Sequence, residues 1–310
     1  MTGPLGHDPR EIGGRACRPM SMVLVAGTGT DVGKTWVSAR LLEAWRRAGN
    51  SVAARKPAQS FECVSDEAGD LPAAVGHTGD LPARSDHPTD AEVLGAASGE
   101  PPSVVCPTSR WYPVPLAPPM AADALGAAPF TVAELVGELT WPGRSVAVGL
   151  IETAGGVRSP QADDGDVVDL GRLVRPDAVV LVAPSGLGAI NGVRMGVEVL
   201  AGVPGPAGRP VPVYVVLNRF DPQADLHRRN REWLVQRCGL DVTPAVPEAL
   251  DQLATRLSRS RGSAGRAVVD DRGGAPDAAR AGRASSERGG SRSGPPPPAT
   301  TTSPRPGSAS

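Results

Sequence analysis

The 310-residue chain has few aromatic side chains: five Trp, three Phe and two Tyr. Its core must therefore be built from Val, Leu, Ala and Ile. Cysteine is also scarce, and Cys17, Cys63, Cys106 and Cys238 stand far apart with no C-x-x-C spacing. His7, His77, His87 and His227 form no ligand grouping, which speaks against a structural zinc site. Such isolated cysteines read as small buried or loop residues in a reducing cytoplasm. An excess of one charge is missing too, since 32 basic residues face 33 acidic ones. Net charge thus gives no support to a nucleic-acid or anionic-membrane partner. No apolar run reaches the ~18–20 residues that cross a bilayer. The run Met22–Ala26, after Arg10, Arg15 and Arg18, is too brief for a signal-peptide core. The expectation is a cytoplasmic protein.

Glycine and proline are abundant, at 38 and 33 residues, and they concentrate at the ends. From Ser258 to Ser310 the only apolar side chains larger than Ala or Pro are Val268 and Val269. Such a segment cannot offset the ~1–2 kcal/mol of backbone entropy lost per ordered residue. Residues 258–310 are predicted to be a disordered tail, and residues 1–20 a disordered leader. Between them, short apolar runs alternate with helical patterns over residues 21–257. Strands are expected at Met22–Ala26, Val52–Lys56, Val146–Ile151, Ala178–Ala183 and Val211–Leu217. Helices are expected after the first glycine cluster, near Ala189–Leu200 and Ala224–Arg237, and over Pro247–Leu257. Strands apolar on both faces, alternating with helices, predict a doubly wound, mostly parallel α/β sheet. The Gly/Asp/Pro-rich stretch Glu62–Pro88 reads as a loop insertion.

The strongest local pattern is Gly27-Thr28-Gly29-Thr30-Asp31-Val32-Gly33-Lys34-Thr35, between a strand and a helix. Small residues let successive N–H groups converge there, and the helix N-terminus adds partial positive charge. Lys34 suits β- and γ-phosphates, and the Thr35 hydroxyl suits Mg2+. Thr28 stands where the strict phosphate-loop pattern has glycine. Glu152 ends a buried strand ahead of Gly155 and Gly156, at the sheet edge where ligands collect. Asp90, taken alone, reads first as a helix-capping or dipole-stabilising acid. Lys56 closes the second strand on the same edge, where it is either a second phosphate-facing cation or a solvated strand end.

Together these pieces resemble the dethiobiotin synthetases, P-loop NTPase-type enzymes. The phosphate loop, Lys56-Pro57-x-x-Ser60, Thr89-Asp90-Ala91, Glu152-x-Ala154-Gly155-Gly156 and Gly186-x-Gly188-x-Ile190-Asn191 occur in the family's order. The resemblance runs from about Val23 to Leu257. It implies an ATP-dependent cyclo-ligase of biotin biosynthesis that joins CO2 to 7,8-diaminononanoate through a carbamate and a carbamic–phosphoric anhydride. It implies catalytic roles for Lys34, Lys56 and Thr30, with Mg2+ held by Thr35, Asp90 and Glu152. ATP would be bound by Asp31, Val32, Gly33, Lys34, Thr35, Trp36, Asp90, Glu152, Thr153, Ala154 and Gly155. Asn218, Arg219, Pro247, Glu248, Ala249 and Ala254 would complete the nucleotide site. Ser60, Ile190 and Asn191 would bind the diamine, the last two from the neighbouring subunit of a homodimer. Gly186–Asn191 otherwise reads as a simple strand–helix turn.

The chain departs from the family pattern in three places. Thr153 replaces a glycine and is expected to add a side chain beside the metal site. Phe61 replaces another glycine, and the insertion before Asp90 is long. The rival readings are a non-catalytic, nucleotide-binding regulatory paralogue and a related P-loop amide-forming ligase.

Overall fold

The computed structural model describes residues 18–62, 87–143 and 145–259. Most of the expected leader, nearly all of the expected tail and residues 63–86 of the insertion lie outside them. Arg18 to Met20 are part of the fold: Arg18 pairs with Asp177 at 3.4 Å, and Met20 N–H donates to Val146 O.

The strands are β1 (Ser21–Gly27), β2 (Val52–Arg55), β3 (Gln59–Ser60), β4 (Trp111–Tyr112), β5 (Val148–Glu152), β6 (Ala178–Pro184), β7 (Val213–Asn218) and β8 (Val242–Pro244). The helices are α1 (Lys34–Arg47), α2 (Asp90–Ser98), α3 (Pro102–Val105), α4 (Pro118–Ala124), α5 (Val132–Glu138), α6 (Val167–Val174), α7 (Ala189–Leu200), α8 (Asp225–Gln236) and α9 (Pro247–Arg259). Among the described residues, a parallel sheet runs in the order β2-β5-β1-β6-β7-β8, and β3 pairs with β4 apart from it. This is the doubly wound arrangement that the strand–helix alternation predicts.

Strand alternation divides the core into two faces. Val23 and Val25 of β1 meet α1, α2 and α9 through Leu41, Trp45, Leu94 and Leu253. Met22, Leu24 and Ala26 point the other way, to a cluster with Leu135, Val168 and Leu170 of α5 and α6. Further along that second face, Val215 and Leu217 of β7 pack with Val193 of α7 and Leu234 of α8. No helix among the described residues is long and apolar enough to cross a membrane.

Register decides what reaches the carboxyl edge. Val25 of β1 pairs with Glu152, and Arg55 of β2 pairs with Ile151. β2 and β5 therefore end within one residue of each other, and β1 runs two residues further, into the phosphate loop. The strand expected over Val52–Lys56 stops at Arg55, so Lys56 is the first residue beyond the ladder. Arg55 and Lys56 then diverge: Arg55 pairs with Glu100 at 2.9 Å and lies over the Trp141 ring. Lys56 turns to the opposite side.

Candidate active site

Segments distant in sequence meet beyond that edge. Thr30, Asp31, Gly33, Lys34, Thr35, Lys56, Gln59, Ser60, Asp90, Ala154, Gly155 and Arg219 line one cleft. The phosphate loop forms one wall. Its last glycine, Gly33, has φ 88°, and a Cβ there would fall 1.9 Å from Asn218 Nδ2. Position 33 thus requires glycine both for its conformation and for space. Asn218 donates to Val32 O at 3.0 Å, and Arg219 donates to Asp31 O at 3.3 Å. Both residues clamp the loop, Asn218 from the end of β7 and Arg219 from just beyond it.

α1 begins at Lys34 with no side-chain cap and no acid in its first turn. Its leading N–H groups and partial positive charge are left for an anion. Helix α2 differs: Thr89 and Glu92 form a reciprocal capping box. Asp90, one residue inside, is therefore not the cap, and its carboxylate is free to face the cleft.

The two lysines and two acids are tightly arranged. Lys56 Nζ lies 2.6 Å from Asp90 Oδ2 and 2.8 Å from Glu152 Oε1, and donates to Thr153 O at 3.4 Å. Lys56 is 2% exposed and Glu152 is 0% exposed. Burial alone would lower the Lys56 pKa, but Asp90 and Glu152 outweigh it and hold it above the usual lysine range. Burial would raise Asp90, but Lys56 and the Thr35 hydroxyl bring it below the usual carboxylate range. Among the described residues Lys34 has no such carboxylate contact. Burial and the nearby Lys56 charge lower its pKa, and its ammonium donates to Gly29 O at 3.3 Å.

The Thr35 hydroxyl lies 2.7 Å from Asp90 Oδ1 and 2.9 Å from Glu152 Oε1. Glu152 Oε2 is buried with no hydrogen-bond partner. One hydroxyl and two carboxylates form a hard oxygen set that suits Mg2+, and the orphaned Oε2 is the kind of atom a cation would satisfy. Among the described residues there is no protein-only metal cage of three or more His, Cys, Asp or Glu. Mg2+ characteristically takes one or two carboxylates together with substrate phosphates.

Thr153 does not behave as the sequence suggests. Its side chain is fully buried and donates to Val25 O at 3.1 Å, so it adds nothing to the cleft lining. Phe61 stands edge-on to Trp111, with centroids 6.3 Å apart. Burial pushes the Cys106 thiol up to about 12, which leaves it inert at neutral pH.

Other expected site residues stand elsewhere. Trp36 is exposed on α1 with Arg40 over its ring. Pro247, Glu248 and Ala249 open α9 outside the cleft lining. Ala254 is buried in the core, its carbonyl accepting Trp45 Nε1–H. Ile190 and Asn191 open α7, which, like α1, starts with no side-chain cap. Ile190 packs on the α7–α8 cluster, and Asn191 borders a separate depression with Trp233 and Arg237.

Sequence reasoning missed Gln59, which is 1% exposed yet lines the cleft. Its position one residue before Ser60 was the only available signal.

Comparison with known proteins gives the lineage of this arrangement. A family described as an AAA domain matches residues 21–254. The ATP-dependent dethiobiotin synthetase BioD of Rhodococcus jostii is 34% identical over 237 residues, 76% of this chain and 90% of that protein. Its namesake in Caulobacter vibrioides is 38% identical over 183 residues, 58% of this chain and 74% of that protein. In Haloferax mediterranei the figure is 33% over 232 residues, 72% and 82% of the two chains. With that family matching residues 21–254 and a relative 34% identical over 90% of its own length, the chain belongs to the dethiobiotin synthetase family.

Proposed function

We propose that the chain is an ATP-dependent dethiobiotin synthetase, converting 7,8-diaminononanoate, CO2 and ATP into dethiobiotin, ADP and phosphate. The observation that carries this reading is the meeting of Lys34 and Lys56 beside the phosphate loop, over Asp90 and Glu152. One substrate amine adds to CO2 and loses a proton, giving a carbamate. A carbamate oxygen attacks the γ-phosphorus, and ADP leaves with the bridging oxygen. The second amine then attacks the carbonyl carbon, phosphate departs, and the ring closes with loss of a proton. Negative charge builds on carbamate and phosphoryl oxygens throughout. Lys34, Lys56 and the open N-terminus of α1 are the groups that would stabilise it, with Thr30 positioning the γ-phosphate. Ser60 would orient the diamine or carbamate.

Thr35, Asp90 and Glu152 would hold Mg2+, which when bound supplies charge neutralisation at the phosphoryl oxygens. Asn218 and Arg219 would fix the loop against the nucleotide. Ile190 and Asn191 lie outside the cleft, which is consistent with a homodimer whose partner subunit presents this helix start. Exposed Leu187, Met195 and Trp233 near that helix support the same reading. Dependence on ATP and the isolated cysteines support a cytoplasmic location.

The test is ADP release measured with and without the diamine and bicarbonate. The proposal expects release to depend on both. Nucleotide binding with no diamine-stimulated release would instead favour a regulatory paralogue.

A further inference from the structure

Buried side-chain atoms without a partner are few among the described residues: Ser38 Oγ, Gln59 Nε2, Glu152 Oε2 and Arg231 Nε. Two of these, Gln59 Nε2 and Glu152 Oε2, belong to the site. Gln59 lies on β3 with Ser60, and both line the cleft with Lys56 and Asp90. Its orientation is fixed. Gln59 Oε1 accepts the Ala91 N–H at 2.9 Å, one residue past Asp90. Turning the carboxamide over would set an NH2 against that N–H, donor against donor. Nε2 is therefore the end left unmade, and a buried donor without an acceptor is unfavourable until one reaches it.

Glu152 Oε2 would be satisfied by a cation and Gln59 Nε2 by an electron-rich oxygen. Nε2 is a neutral donor, so it would stabilise a developing negative oxygen without adding another charge beside Lys56.

We propose that Gln59 is a substrate-contacting residue, its Nε2–H donating to an oxygen of the carbamate formed from the diamine. The proposal rests on the synthetase reading above. It favours the carbamate over the nucleotide because Gln59 shares β3 with Ser60 and stands beside Lys56, whereas the phosphate loop is the other wall.

Two variants of the full chain separate this role from scaffolding. Gln59→Glu keeps an oxygen for the Ala91 N–H and removes the donor, and Gln59→Met removes both. Each is assayed for diamine- and bicarbonate-dependent ADP release, for affinity toward a non-hydrolysable ATP analogue, and for Tm. Both variants are expected to lose about 10- to 100-fold in kcat/KM for the diamine. Nucleotide Kd should move by less than about threefold, since the phosphate loop is intact. Wild-type kcat/KM in Gln59→Glu with a fall in Gln59→Met would overturn the proposal, leaving Gln59 as a brace for α2. A parallel loss of nucleotide affinity would overturn it too, because the effect would then run through Asp90. If the wild-type chain gives no diamine-dependent release, the synthetase reading fails and this one with it. An active wild type with an unimpaired Gln59→Glu sinks only the role of Gln59.

Discussion

Lys34 and Lys56 face the same cleft but contribute to the folded state with opposite sign. Lys56 sits between two carboxylates, one of them 0% exposed. Removing it leaves Glu152 buried without its cation, and breaking such a pair costs about 3–5 kcal/mol. Lys56→Ala should therefore lower Tm as well as lowering kcat by ~10² or more. The Tm deficit has a defined pH dependence. Asp90 titrates below the usual carboxylate range because Lys56 holds it there. That stabilisation is complete above the ordinary carboxylate pKa and is lost as pH falls through the lowered one. The Tm gap between wild type and Lys56→Ala should narrow on acidification, and a gap constant with pH would refute the coupling. Lys34 is buried with its pKa lowered, so the fold bears a cost for its charge. Lys34→Ala should lose ~10²–10³ in turnover while Tm holds or rises; calorimetry beside an ADP-release assay checks both. Lys34 was legible in the sequence from the phosphate-loop pattern, whereas Lys56, which locally could equally be a solvated strand end, was singled out by the family resemblance. Gln59 was not legible, since an unmade hydrogen bond exists only once the neighbours are in place. The Thr153 hydroxyl was misread for a related reason: its acceptor, Val25 O, lies on a strand far away in sequence.

Among elements, the helix starts divide into those closed by their own side chains and those left open. α2, α5 and α6 carry capping boxes at Thr89–Glu92, Thr131–Glu134 and Asp166–Asp169. α1 and α7 follow the glycines Gly33 and Gly188, with neither a side-chain cap nor an acid in the first turn. The box on α2 also fixes the turn that presents Asp90. Thr89→Ala should cost about 1 kcal/mol and weaken nucleotide binding more with Mg2+ present than without it. Equal weakening in both conditions would show that Asp90 is placed independently of the cap. Long apolar strands and the helices α1, α7, α8 and α9 were readable because each fills a window in which period 2 or 3.6 can be recognised. Helix α5 runs only Val132–Glu138, and α6 only Val167–Val174, too short for that test. Their Thr-x-x-Glu and Asp-x-x-Asp starts were the available signals. Strands β3, β4 and β8 have two or three residues each, and their pairing is set by tertiary contact alone.

At the scale of the whole molecule, α9 closes the sheet face that carries α1. Leu250, Leu253, Ala254 and Leu257 are buried there, Ala254 O accepts Trp45 Nε1–H, and Leu257 O accepts the Ser21 hydroxyl. A chain ending at Arg259 retains these contacts and should match the full chain in Tm and turnover. One ending at Ala249 should fail to fold cooperatively, as circular dichroism melts of the two would report. The strand order carries a further consequence, one of timing. β1 hydrogen-bonds to β5 and β6, so its neighbours are translated long after it. About 160 residues separate Ser21 from Pro184, and at ~5–20 residues per second synthesis of that span takes roughly 10–30 s. Until β5 is made, neither edge of this apolar strand is satisfied, and until β6 is made one edge stays open. The nucleotide loop at its end cannot form before both neighbours are in place. Stalled chains ending near residue 140 should be protease-sensitive and bound by holdase chaperones, whereas chains extended past α7 should begin to resist cleavage.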